Sequence, residues 1–143
     1  MNKITEFLLA HYGAGKRNNS AYLIKKWILN NVHSATVDNW HTFQWCAVVL
    51  IEALRLTNYE GILPNAWVDS WLNVGTKIDI NKAEIGDIVI IGDNLKRTHI
   101  TTFIRYSTDL QSVYCLGGNQ NETICIANFD IRGVYKIIRI PNV

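Results

Sequence analysis

Three absences narrow the reading before any motif is considered. Only three cysteines occur, Cys46, Cys115 and Cys125, with no C-x-x-C pair among them. That odd count speaks against a disulfide scaffold and against a cysteine zinc site, and leaves at least one thiol free. Long hydrophobic runs are missing too: the longest, Cys46 to Ile51, stops at Glu52, far short of the ~18 apolar residues of a membrane span. The opening residues hold Glu6 inside a short apolar stretch, so no secretory leader is expected. An excess of one charge is also lacking, with 14 Lys and Arg against 12 Asp and Glu. The largest basic clusters are Lys16-Arg17 and Lys25-Lys26, too small for a nucleic-acid footprint.

What is present describes a folding unit. The 143 residues are 48% hydrophobic and 18% charged, with 2 Pro and no biased tract, which excludes disorder and low complexity. A chain of this length buries roughly 70% of its unfolded surface and needs neither disulfides nor metal to form a core. One domain over residues 1–143 is expected, the first 17 being left open between core and N-terminal extension.

Periodicity divides the chain in two. The first half carries helical spacing over Asn2 to Tyr12, then from Ala21 after an Asn19 or Ser20 cap, with Tyr22, Leu23, Trp27, Ile28 and Val32 as its buried stripe. Cys46 to Leu56 is apolar on nearly every side and predicts the central buried helix; a short fourth helix is predicted over Ala66 to Asn73. After Gly86 the period changes. Short β-branched and aromatic runs over Asp87–Ile91, His99–Ile104, Ser112–Leu116, Thr123–Ile126 and Gly133–Ile140 predict antiparallel strands. Helices followed by strands imply an α+β fold, the helices packed on the sheet.

Chemistry gathers at the central helix. A cysteine in a helix's first turn meets unpaired N–H groups and the positive end of the helix dipole, which favour the thiolate. Cys46 is therefore the candidate nucleophile, although a lone cysteine most often serves as a small buried hydrophobe. Gln44, two residues before it, could stabilise an oxyanion together with the Cys46 N–H. A thiol nucleophile needs a base. Among His11, His33, His41 and His99, His99 opens a strand after a polar turn and is preferred, with His41 as a lesser candidate. The segment Leu116-Gly117-Gly118-Asn119-Gln120-Asn121 reads either as a turn between strands or as the place where an Asn or Gln carbonyl orients the histidine. Trp40 and Trp45 flank the cysteine and could line a cleft, whereas Trp27, Trp67 and Trp71 read as core. Cys115 and Cys125 read as packing residues.

Taken in order, Trp45-Cys46-Ala47, Ser70 to Gly75, Gly86-Asp87-Ile88-Val89, His99 and Leu116-Gly117-Gly118-Asn119-Gln120 resemble the CHAP and NlpC-like peptidoglycan hydrolases of the papain-like superfamily. The resemblance covers roughly residues 18–140. It implies that Cys46 is the nucleophile, His99 the base and Asn119 the residue orienting His99; Gln44, Trp45, Trp40 and Gln120 are expected around the oxyanion and substrate. It also implies a papain-like fold, no metal or cofactor, and hydrolysis of an amide in or beside the peptidoglycan stem peptide. Two departures stand out: Thr101 occupies the place of the glycine in a His-Val-Gly strand, and residues 38–44 lack the acid-Thr-Pro approach to the cysteine, leaving the oxyanion donor open.

The expectation is thus a thiol-dependent cell-wall amidase or endopeptidase, used as a phage lysis enzyme or as an antibacterial effector. It would be made in the cytoplasm without a Sec signal and would act in the envelope. A delivery system and, for an effector, an immunity protein would be its partners, with no nucleic acid and no membrane span. Two alternatives remain open: a binding module that kept the fold without catalysis, and an intracellular cysteine hydrolase acting on a protein amide.

Overall fold

The computed structural model describes residues 2–141 and 143. Among these residues three α-helices come first, α1 (Lys3–Ala10), α2 (Ala21–Asn31) and α3 (Cys46–Arg55). Six strands follow: β1 (Thr76–Ile78), β2 (Ile88–Gly92), β3 (Arg97–Tyr106), β4 (Ser112–Gln120), β5 (Thr123–Asp130) and β6 (Val134–Arg139). The strands form one antiparallel sheet in the order β1-β6-β2-β3-β4-β5, so the architecture is α+β. No helix among the described residues is long and apolar enough to cross a membrane.

Helix α3 is the spine. All its residues except Glu52 and Arg55 are buried, and those two reach outward to Asn31 of α2. Its buried residues form one cluster with Ile4 and Leu8 of α1, Ile24, Trp27 and Ile28 of α2, and Ile88, Ile90, Ile100 and Leu116 from one face of the sheet. Val89, Phe103, Val113, Cys115 and Ile137 make a second cluster. Because strand side chains alternate, those residues belong to the opposite face. The N-terminal segment belongs to the first cluster, since Ile4 and Leu8 are fully buried in it and Asn2 caps α1 by accepting from the Thr5 N–H.

Several expectations shift. The α2 stripe is Ile24, Trp27 and Ile28, while Tyr22 is exposed. Between Ala66 and Asn73 only a 3-10 turn forms, Val68–Trp71. There the Asn65 side chain takes the Trp67 N–H and Ser70 Oγ donates to the Trp67 carbonyl, local bonds that compete with a helical ladder. Trp71 is fully buried as expected, but Trp67 is 76% exposed and is no core residue. The predicted strands are present and longer at several ends; β1 is extra, too short to show alternation. The β4–β5 connection is also tighter than a Gly-Asn turn. Strand β4 runs through Gln120, and the two-residue hairpin is Asn121-Glu122, both left-handed (φ 50° and 63°) as a type I′ turn requires.

Candidate active site

Cys46 is the first residue of α3, where helix N–H groups have no carbonyl partner within the helix. Its side chain is 3% exposed. Burial pushes the thiol above its ordinary value, and hydrogen bonding from the N–H groups of Ile100, Ala47 and Cys46 itself pulls the other way without overcoming it. The helix start alone therefore does not produce the resting thiolate expected of it.

Ile100 lies on β3, next to His99. The β3–β4 ladder runs from Tyr106↔Val113 to Thr102↔Leu116 and stops; beyond Leu116, β4 stays paired only with β5. The N–H of Ile100, two residues past the last pair, points toward β4 and is among the groups that pull the Cys46 pKa down. One peptide bond separates this donor from His99. No hydrogen bond joins Cys46 and His99 among the described residues: Cys46 belongs to the cluster on the helix side of the sheet, whereas His99 lies on the opposite face with Phe103.

His99 is half-buried and shares its face of β3 with Thr101 and Phe103, stacking at 5.5 Å on Phe129 of β5. Its Nε2 lies 3.0 Å from Gln120 Oε1. The Gln120 amide is oriented without ambiguity, because its Nε2 donates to the carbonyls of Cys115 (3.0 Å) and Cys125 (2.6 Å). Only the oxygen is left for the histidine, so His99 Nε2 carries the proton and Nδ1 the lone pair. Burial lowers the His99 pKa, partly offset by the Gln120 bond. Both candidate groups accordingly rest neutral near pH 7.

The residue that holds His99 is thus Gln120, in place of Asn119. The physical cause is a bulge. The β4–β5 register slips between Gly117↔Cys125 and Gln120↔Thr123, and Asn119 is left-handed at φ 57°. A one-residue slip exchanges the two faces of a strand, which brings Gln120 to the face that simple alternation gives to Asn119. Asn119 instead donates from Nδ2 to Gln44 Oε1 at 2.6 Å.

The two glycines before the bulge are close approaches. A Cβ on Gly117 would sit 2.4 Å from Thr101 Oγ1 and 3.0 Å from Gln120 Oε1; one on Gly118 would sit 2.7 Å from Val49 and 2.8 Å from the Trp45 ring. Gly117 therefore makes room for Thr101, the residue standing where the family resemblance has glycine. The Thr101 hydroxyl is buried and has no hydrogen-bond partner among the described residues.

Of the remaining candidates, Gln44 is exposed and Trp40 half-buried on a 3-10 turn (Trp40–Thr42). Trp45, 1% exposed, is packed in the core and does not line a cleft. His41 is exposed, its ring edge-on to Trp40, and nothing places it with Cys46. Two contributors were not anticipated. Lys16 donates from Nζ to the carbonyls of His41 and Phe43, both at 2.6 Å, tying the N-terminal segment to the loop that enters α3; burial lowers its pKa. Phe129 backs His99. Neither left a mark in the sequence, since each acts through a register or a loop path rather than a spacing.

No protein-family model matches the chain, and no curated protein matches it. Among solved structures it is similar to the crystal structure of the P60 domain of an antigen from M. avium subspecies paratuberculosis. The TM-score is 0.58 at 12% sequence identity, over 99% of this chain and 93% of that one. The likeness is one of fold.

Proposed function

We propose that this protein is a thiol-dependent hydrolase of the bacterial cell wall, cutting an amide in or beside the peptidoglycan stem peptide. The observation that carries the reading is the orientation of His99 by Gln120, one residue from Ile100, whose N–H opposes the effect of burial on the Cys46 thiol. The P60-like fold supports it.

In this reading the pair rests as thiol and imidazole. His99 Nδ1 takes the proton as the Cys46 sulfur attacks the carbonyl carbon, and N–H groups at the start of α3 together with Gln44 receive the developing oxyanion. The protonated His99 then delivers its Nδ1 proton to the departing amine, leaving a thioester on Cys46. Water, deprotonated by His99, releases the acid and restores the thiol. Throughout, Gln120 holds the Nε2–H and so keeps the base at Nδ1. Such an activity suits an antibacterial effector or a phage lysis enzyme; a co-purifying immunity protein would mark the first.

Incubating the protein and its Cys46→Ala variant with purified peptidoglycan, then identifying new amine termini by mass spectrometry, tests this directly. New termini with the wild type alone are expected, and they name the bond. Equal release by both proteins would sink the reading. A second reading, a binding module of the same fold without catalysis, is favoured by the burial of Cys46 and by the missing bond to His99. It requires retention of the protein on peptidoglycan with no turnover.

A further inference from the structure

The β4 bulge serves two side chains at once. Gln120 is turned to His99, and Asn119 is turned to Gln44, 75 residues earlier in the chain. We propose that Asn119 is a positioning residue for the oxyanion hole: by holding Gln44 Oε1 it leaves the amide nitrogen as the end that meets the carbonyl attacked by Cys46. The proposal rests on the thiol-hydrolase reading above.

A carboxamide has one donor end and one acceptor end, and its terminal torsion is broad and nearly two-fold. An unheld Gln44 offers oxygen to the developing oxyanion about as readily as nitrogen; the first repels and the second stabilises. In the structure Asn119 settles the choice, its Nδ2 donating to Gln44 Oε1 and leaving the Gln44 nitrogen unclaimed. The rest of the loop is already fixed from beneath, since Lys16 holds the carbonyls of His41 and Phe43 on one side of Gln44 and the buried Trp45 anchors the other. What remains free is the side-chain torsion that Asn119 sets. The left-handed backbone at Asn119 is what directs its side chain out of the strand's alternation, and asparagine tolerates that conformation better than most residues. The bond lies at the surface between neutral groups, so folding depends on it little.

A short peptide aldehyde reports on the hole without requiring the natural substrate. The Cys46 sulfur adds to the aldehyde carbon as the C=O π bond opens and the thiol proton passes to oxygen, giving a reversible hemithioacetal whose oxygen occupies the hole. Asn119→Asp can only accept, so it turns Gln44 around and aims oxygen at the site; Asn119→Gly keeps the left-handed backbone and merely frees the amide. Expected losses of adduct affinity, and of kcat on peptidoglycan, are about 100-fold for Asn119→Asp and Gln44→Ala and about tenfold for Asn119→Gly. KM and the melting temperature should stay near wild type. In a Gln44→Ala background, Asn119→Asp should cost nothing further, because nothing is left to orient.

The proposal is overturned if Asn119→Asp binds the aldehyde like wild type, if it costs as much without Gln44 as with it, or if wild-type Cys46 forms no adduct. Adduct formation with the expected variant order, but no peptidoglycan cleavage by the wild type, would support the Asn119 role and remove only the cell-wall substrate.

Discussion

Two thiols in this molecule are almost equally hidden, Cys46 at 3% exposure and Cys115 at 0%, yet their surroundings treat them differently. Cys115 lies in the regular part of β4, among Val89, Phe103, Val113 and Ile137, and burial alone pushes it up to about 12. Cys46 is also pushed upward by burial, but three N–H groups oppose the push. The difference lies in what the backbone has left to give. In mid-strand the N–H groups are consumed by the ladders on either side. At the start of α3 they are unspent, and the Ile100 N–H of β3 acts in the same direction. Burial disables a thiol; a helix start partly restores it.

The comparison breaks first on activity. Cys46→Ala should lower peptidoglycan cleavage by about 10⁴-fold or more, whereas Cys115→Ala should stay within about twofold, both read as amine termini released per enzyme. An equal loss in the two variants would erase the distinction. Gly117→Ala comes next, because its Cβ strikes Thr101 Oγ1 and crowds Gln120 Oε1. It should cut kcat about 100-fold through the misplaced imidazole and cost about 1–3 kcal/mol of stability by overpacking, measured by steady-state kinetics and urea unfolding. Thiol alkylation mapped by peptide mass gives a smaller contrast: near neutral pH Cys46 should be modified ahead of Cys115, and the reverse order would favour the non-catalytic module.

The last contrast is in the dependence of stability on pH, where the two groups act with opposite signs. The folded chain keeps the Cys115 proton between about 9 and about 12 while the unfolded chain sheds it. Stability should therefore fall as pH rises through that window, by up to ~1.4 kcal/mol per pH unit, and Cys115→Ala should remove that slope. His99 works on the acid side. Its folded pKa lies below the ordinary 6.5, so its contribution is complete above 6.5 and is lost as pH falls from there through the folded value. His99→Gln should flatten that limb, as measured by urea midpoints across pH.

Much of the frame could be read without coordinates. The change of period after Gly86 separates helices from strands, and the largely apolar segment after Trp45 marks α3 within a residue of its observed span. The site was legible only as neighbourhoods. That Cys46 opens the central helix and that His99 lies near the start of a strand followed from local pattern. Which of Asn119 and Gln120 meets the imidazole did not follow, because the β4 bulge reverses the faces and a bulge leaves no period of its own. Trp45 and Trp67 exchanged places for a related reason. An aromatic's exposure depends on which face of its element meets the core, and short loops and 3-10 turns carry no repeating face.

The amino-acid sequence alone determined the α+β class, the helix that begins at Cys46 and the few residue types available for thiol chemistry. These depend on interactions within a few residues, which a linear pattern records. Only the tertiary structure decided that Gln120 holds His99 and that Asn119 turns to Gln44. Each of those is set by where one strand stops pairing with its neighbour, and that point depends on the packing of segments far apart in the chain.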